Sequence, residues 1–165
     1  MFFPFAIDEQ SNTYLARFSD TLILEDFTAF DFAALACRDV HGPTAGLMDF
    51  SRVSEVRVSS AQIVSRGMAP QIMTGQPHAI VADGLLFGMM RMFGAYQSKD
   101  SVEPMIMRTL PEAYKALGLV AGDFHPIEVG TNIDVGPDAA LGRALSILYP
   151  LDRPDIMKFR LRESS

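Results

Sequence analysis

Cysteine is almost missing from this sequence, and basic residues are outnumbered. The single thiol, Cys37, excludes any internal disulfide among the 165 residues, so the chain has no need of an oxidising compartment. With 14 Lys and Arg against 20 Asp and Glu, the net charge is −6, which speaks against a general nucleic-acid-binding surface. His41, His78 and His125 lie far apart, and none has ligand spacing with another His or Cys, so no metal site is expected. Motifs for phosphate cradles, dinucleotides or a nucleophile elbow are missing too. The expected catalytic set is therefore none, no cofactor is expected, and the chain reads as not an enzyme. No apolar run approaches the ~20 residues of a membrane span; the longest, from Ala79, is broken by Asp83 and Gly84. The amino terminus lacks the positive start of a secretory signal and meets an acid at Asp8, so a cytoplasmic protein is expected.

What is present suffices for a packed core. Hydrophobic residues make up 48% of the chain and the mean hydropathy is +0.16, which excludes global disorder, and the length suits one domain with an added element.

Phe5 to Ile7 and Tyr14 to Phe18 flank a cluster of turn formers, Asp8-Glu9-Gln10-Ser11-Asn12, which is a hairpin pattern. Leu24 to Cys37 has a helical period with Glu25 and Asp26 in its first turn, where the positive dipole end favours acids. Cys37, near the end of that helix, reads as a buried, inert thiol, and His41-Gly42-Pro43 stops the helix. A buried strand over 45–49, a loop, and a short helix from Ser59 to about Gly67 come next, with Ser59 and Gln62 at capping-box spacing. A second buried strand over 78–82 leads to a helix over 85–97, where Gly84 and Gly88 suggest close approach to the sheet. A strand over 105–108 and a helix over 110–117 follow, with a second capping box at Thr109 and Glu112 and a glycine stop at Gly118. Further on, Pro126 to Val129 reads as a short edge strand, 137–149 as an amphipathic helix and 156–161 as a half-buried strand. The order β-β-α-β-α-β-α-β-α predicts an α/β fold with a mostly parallel sheet and an antiparallel hairpin strand at one edge. Residues 1–119 form the expected domain. Residues 120–165 are an extension, packed on the domain or exchanged in a dimer.

Four segments carry a family resemblance: Leu-Met-Asp-Phe-Ser-Arg-Val-Ser-Glu (47–55), Val-Ser-Ser-Ala-Gln-Ile (58–63), Ala-Ile-Val-Ala-Asp-Gly-Leu-Leu-Phe-Gly-Met-Met-Arg-Met-Phe (79–93) and Arg-Thr-Leu-Pro-Glu-Ala-Tyr-Lys-Ala-Leu-Gly-Leu (108–119). In that order they resemble the bacterial SpoIIAA-like proteins, a family related to the STAS domains of anti-sigma factor antagonists. The resemblance implies a STAS-like mixed sheet of about five strands with helices mainly on one face. In the regulatory branch, a strand ending Asp-x-Ser leads to Asp-Ser-Ser-Gly, where a partner kinase phosphorylates a serine. Asp49-Phe50-Ser51 matches the first part and Ser59-Ser60 the serines, while Val58 and Ala61 stand in place of the aspartate and glycine.

Two candidate sites follow. Ser59 or Ser60 is a candidate phosphoacceptor at a helix N-terminus, with Arg57 and Arg52 in the same loop to pair with an anion; the plainer reading makes Ser59 a cap alone. Leu86, Met89, Met90, Met92 and Phe93 form an apolar stripe suited to core packing, or else to a greasy ligand or a subunit contact. Arg153, Lys158, Arg160 and Arg162 form a basic tail that serves to block unwanted strand pairing. The expected function is a non-enzymatic regulatory or binding module, homodimeric, acting through a protein partner or small ligand. Its alternative is a carrier of a lipid-like molecule in a pocket lined by the Met/Phe stripe.

Overall fold

The computed structural model describes residues 5–97, 102–120 and 124–126. The chain divides into two compact units, Met1–Thr131 and Asn132–Ser165, and every described residue belongs to the first. The helix expected over 137–149, the strand over 156–161 and the basic tail lie outside the described residues.

Phe5–Asp8 (β1) and Thr13–Leu22 (β2) form the expected hairpin, in antiparallel register from Phe5 opposite Ala16 to Asp8 opposite Thr13. The Asp8 carboxylate makes the turn, accepting from the Gln10 amide at 3.0 Å and the Ser11 hydroxyl at 2.8 Å, as an aspartate in an Asx-turn does. Next come Leu24–His41 (α1), Ala45–Val56 (β3), Ser60–Gly67 (α2), His78–Val81 (β4), Gly84–Ala95 (α3), Met105–Met107 (β5), Leu110–Leu117 (α4) and His125–Pro126 (β6). Gly42 ends α1 at φ +76° and Gly118 ends α4 at φ +69°. Both are backbone conformations that cost any residue with a Cβ.

Among the described residues the sheet has six strands, in the order β5-β4-β3-β2-β1-β6. Strands β2 to β5 run parallel; β1 pairs antiparallel with β2, and β6 pairs antiparallel with β1 and so runs in the direction of the parallel strands. The protein is thus α/β with a mixed sheet, and β6 takes the edge position that the hairpin strand was expected to hold.

Three successive parallel crossovers step the same way across the sheet, so their helices fall on one face. Tyr14, Ala16 and Phe18 of β2, Phe50 of β3 and Ile80 of β4 meet Phe27, Phe30 and Ala34 of α1, Ile63 of α2 and Leu86, Met89 and Met90 of α3. The other face packs Leu15, Leu47, Ala79 and Val81 under Ala113, Leu110, Tyr114 and Leu117 of α4. Strand β4 is covered on both faces, which is why its sequence shows almost no polar alternation.

Aromatic rings knit the larger core. Phe18 and Phe50 stack with centroids 4.3 Å apart, and Phe5 and Tyr14 at 5.1 Å; each ring removed from water contributes roughly 2 kcal/mol. Arg66 of α2 lies 4.8 Å from the Phe27 ring centroid and pairs with the buried Asp31 of α1. That pair fixes one helix against the other. Close approach is a matter of two other glycines than those expected. A Cβ at Gly46 would collide with the Tyr14 ring and sit 2.5 Å from His78 Cδ2, and one at Gly67 would sit 2.7 Å from the Phe93 carbonyl oxygen. Gly84 and Gly88 have open space around them instead; Gly84 is needed for its φ of +50°. No described helix is long and apolar enough to cross a membrane.

Candidate functional site

The largest departure from expectation is the length of β3. The sequence predicts a strand over 45–49 and then a loop, but β3 continues to Val56. It does so because β2 also continues. Their parallel pairing runs from Thr13 opposite Ala45 to Leu22 opposite Val56, while β4 reaches only from Gly46 to Asp49 along β3. Above Asp49 the sheet therefore narrows to an arm whose β3 edge is paired with no other described strand.

Two irregularities shape the arm. The register skips between Arg17 and Ser19 and again between Asp20 and Thr21, so β3 carries extra residues there, Ser54 among them. Asp20 sits opposite the second skip at φ +60°, a conformation that aspartate tolerates better than most residues. Bulges of this kind increase twist and interrupt a regular edge.

Side chains then pin the arm. Thr21 Oγ1 donates to Glu55 Oε2 at 2.9 Å, Arg57 Nε to Glu55 Oε1 at 2.9 Å, and Ser54 Oγ to the Asp20 carbonyl at 3.3 Å. Hydrogen bonds from Arg57 first, and then from Thr21, hold the Glu55 carboxyl below the usual carboxylate range, and the Arg57 guanidinium is raised in turn. At the foot of the arm, buried Asp49 accepts from the Ser51 amide at 2.9 Å and lies 3.9 Å from Arg17. Val58 is buried and returns the chain to the core.

Arg57 and Arg52, expected together around an anion, are separated by their partners. Arg57 is engaged by Glu55, while Arg52 is exposed and has no hydrogen-bond or ion-pair partner among the described residues. Ser59 is the N-cap of α2: its hydroxyl accepts from the Gln62 amide at 3.2 Å, and Gln62 Oε1 reaches back to the Ser59 amide at 2.8 Å. Ser60 is exposed at the first helical position.

The methionine stripe points inward. Leu86, Met89 and Met90 belong to the core cluster at 3–6% exposure, Phe93 packs against it, and Met92 is half-buried. As core residues the first three cannot line an open groove. The open side of α3 is another stripe: Phe87, Arg91, Gly94 and Ala95, with Glu103, Pro104 and Ile106, bound a cleft of about 400 Å³. The Arg108 guanidinium stacks 4.2 Å above the Phe87 ring beside it.

His78 is in the core, with Nδ1 2.8 Å from the Gln76 carbonyl, and burial pushes its pKa down. Burial likewise pushes the Cys37 thiol and the Tyr14 hydroxyl up, keeping both neutral. Among the described residues no group of three or more His, Cys, Asp or Glu is arranged to hold a metal ion.

Fold and site together define a class: an α/β protein with a mixed sheet that narrows to a two-stranded arm. No family model matches the chain, and neither the curated proteins nor the solved structures give a significant match.

Proposed function

We propose that the protein is a non-enzymatic regulatory or binding module of the STAS-like type, acting through a protein partner that engages the β3 arm. One observation carries this reading. From Arg52 to Val56 one edge of β3 is paired with no other described strand, and Arg52, Ser54 and Glu55 are exposed along it. Extended chains bind such edges by adding a strand, with main-chain hydrogen bonds giving affinity and flanking side chains giving selectivity. The four SpoIIAA-like segments support the regulatory part, since the first of them, 47–55, covers most of the arm. The setting in this reading is the cytoplasm, with Cys37 buried and kept as a thiol.

Site-specific photo-crosslinking tests it. A photoreactive residue at Ser54 is expected to give a discrete protein adduct in cells expressing the chain. The same residue at Val40, an exposed position at the far end of α1, is the control. Equal labelling from both positions, or none from Ser54, would sink the proposal.

A further inference from the structure

The order of charges along the arm decides what fits its edge. Arg52-Val53-Ser54-Glu55 sets a cation and an anion symmetrically about the Val53–Ser54 peptide bond. The bulge makes Val53 and Ser54 count as one position, so Arg52 and Glu55, which stand opposite Ser19 and Thr21 of β2, share the outer face while Val53 and Val56 turn to the core. When two copies meet antiparallel about a two-fold axis at the bulge, Arg52 of each lies opposite Glu55 of the other. Residues directly opposite in an antiparallel pair have Cβ atoms about 5 Å apart, within reach of an ion pair. An in-register parallel pairing would instead set Arg52 beside Arg52 and Glu55 beside Glu55, which repels. The sequence is self-complementary in one direction only.

We propose that the occupant of the β3 edge is a second copy of this chain, paired antiparallel through residues 52–55 to make an isologous dimer. This rests on the reading of the edge as a binding surface and names what binds there. The groups are prepared for it. Arg52 has no partner among the described residues, so pairing costs it no existing contact. Glu55 is held in place by Thr21 and by both donors of Arg57, at 2.9 Å and 3.3 Å. A carboxylate offers about four lone-pair sites, which leaves room for one more donor. The bulge at Ser54 and the charges keep the edge from pairing with arbitrary strands, and a strand with matching charges meets that condition. A C2 interface requires this kind of self-matching patch.

Sedimentation equilibrium on the full chain tests the dimer. Wild type is expected to dimerise, and R52E, which creates two like-charge oppositions per dimer, to weaken association at least about tenfold with unchanged circular dichroism. E55R is expected to weaken it similarly. A 1:1 mixture of R52E with E55R is expected to recover dimers: the introduced carboxylate then faces the introduced guanidinium, and the native Glu55 faces the native Arg52. A wild-type chain that stays monomeric, a dimer indifferent to R52E, or a mixture that fails to recover would each overturn the proposal. A monomer that still crosslinks another protein through Ser54 overturns the self-pairing and leaves the partner-binding reading standing. A monomer without that adduct overturns both.

Discussion

Strand β3 lives in two environments along one continuous pairing with β2. From Gly46 to Asp49 it is flanked by β4 as well, and Leu47 there is 0% exposed. From Ser51 to Val56 it has one described neighbour and a surface of Ser, Arg and Glu. The lower part is held by burial on both faces. The upper part is held by one ladder, by side-chain bonds to Glu55 and Asp20, and by one face only, through Val53 and Val56 packed against the core. A strand can thus continue past its second neighbour where its parallel partner continues with it and one face still packs on the core, as Val53 and Val56 do. The difference also separates two properties by position: substitutions in the body change stability, and substitutions on the arm change association.

The largest expected effect on stability lies at the ion pair between α1 and α2. Asp31 is 1% exposed, and its removal leaves Arg66 beside two aromatic rings without its carboxylate. Breaking a buried pair from one side costs several kcal/mol. Asp31→Ala is expected to cost roughly 3 kcal/mol, read as a fall in thermal midpoint on the order of 10 °C. A shift within ordinary surface-substitution range would mean that the helix layer does not depend on this pair.

His78 gives a smaller effect with a pH signature. Its folded-state pKa is lowered by burial, so the folded form holds neutral imidazole where the unfolded chain, with a pKa near 6.5, takes up a proton. Between those two values the unfolded state binds more protons, and stability rises with pH. The expected outcome is stability that is complete above about pH 6.5 and declines as the pH falls through the unfolded pKa towards the folded one. His78→Phe removes that component, measured as the difference between the urea-unfolding curves of variant and wild type across pH 5 to 8. A parallel decline in both proteins would refute the assignment.

Much of the body was legible because each element there carries its own signal. The apolar runs of β4 and β5, the capping boxes at Ser59 and Thr109 and the stop at Gly118 all sit within a residue or two of where the pattern places them. The arm was not legible. Its sequence is polar on the open side, and the bulge sets its core-facing valines, Val53 and Val56, three residues apart, which hides the two-residue period of a strand. Val53, Val56 and Val58, all β-branched and close together, were the available clue. The α3 stripe was legible in part: periodicity shows that Leu86, Met89 and Met90 share a face suited to core packing or to a ligand, and packing shows that these three belong to the core. Phe87 and Arg91, on the open stripe, carry no sequence signal that sets them apart.

The smallest expected effect lies at the junction, where the arm ends and α2 begins. Ser59 and Ser60 are neighbours in sequence, yet their hydroxyls do different things. Ser59 satisfies the Gln62 amide at the start of the helix, one of the donors that a helix leaves without an internal partner. Ser60 has no such duty; it is exposed at the first helical position. Ser59→Ala is therefore expected to cost about 1 kcal/mol in urea unfolding, and Ser60→Ala no more than roughly half of that. Neither is expected to alter association in the centrifuge, because pairing through residues 52–55 ends before the cap. Equal costs for the two would remove the cap from Ser59, and a loss of dimer from either would move the interface off the arm and onto the helix end.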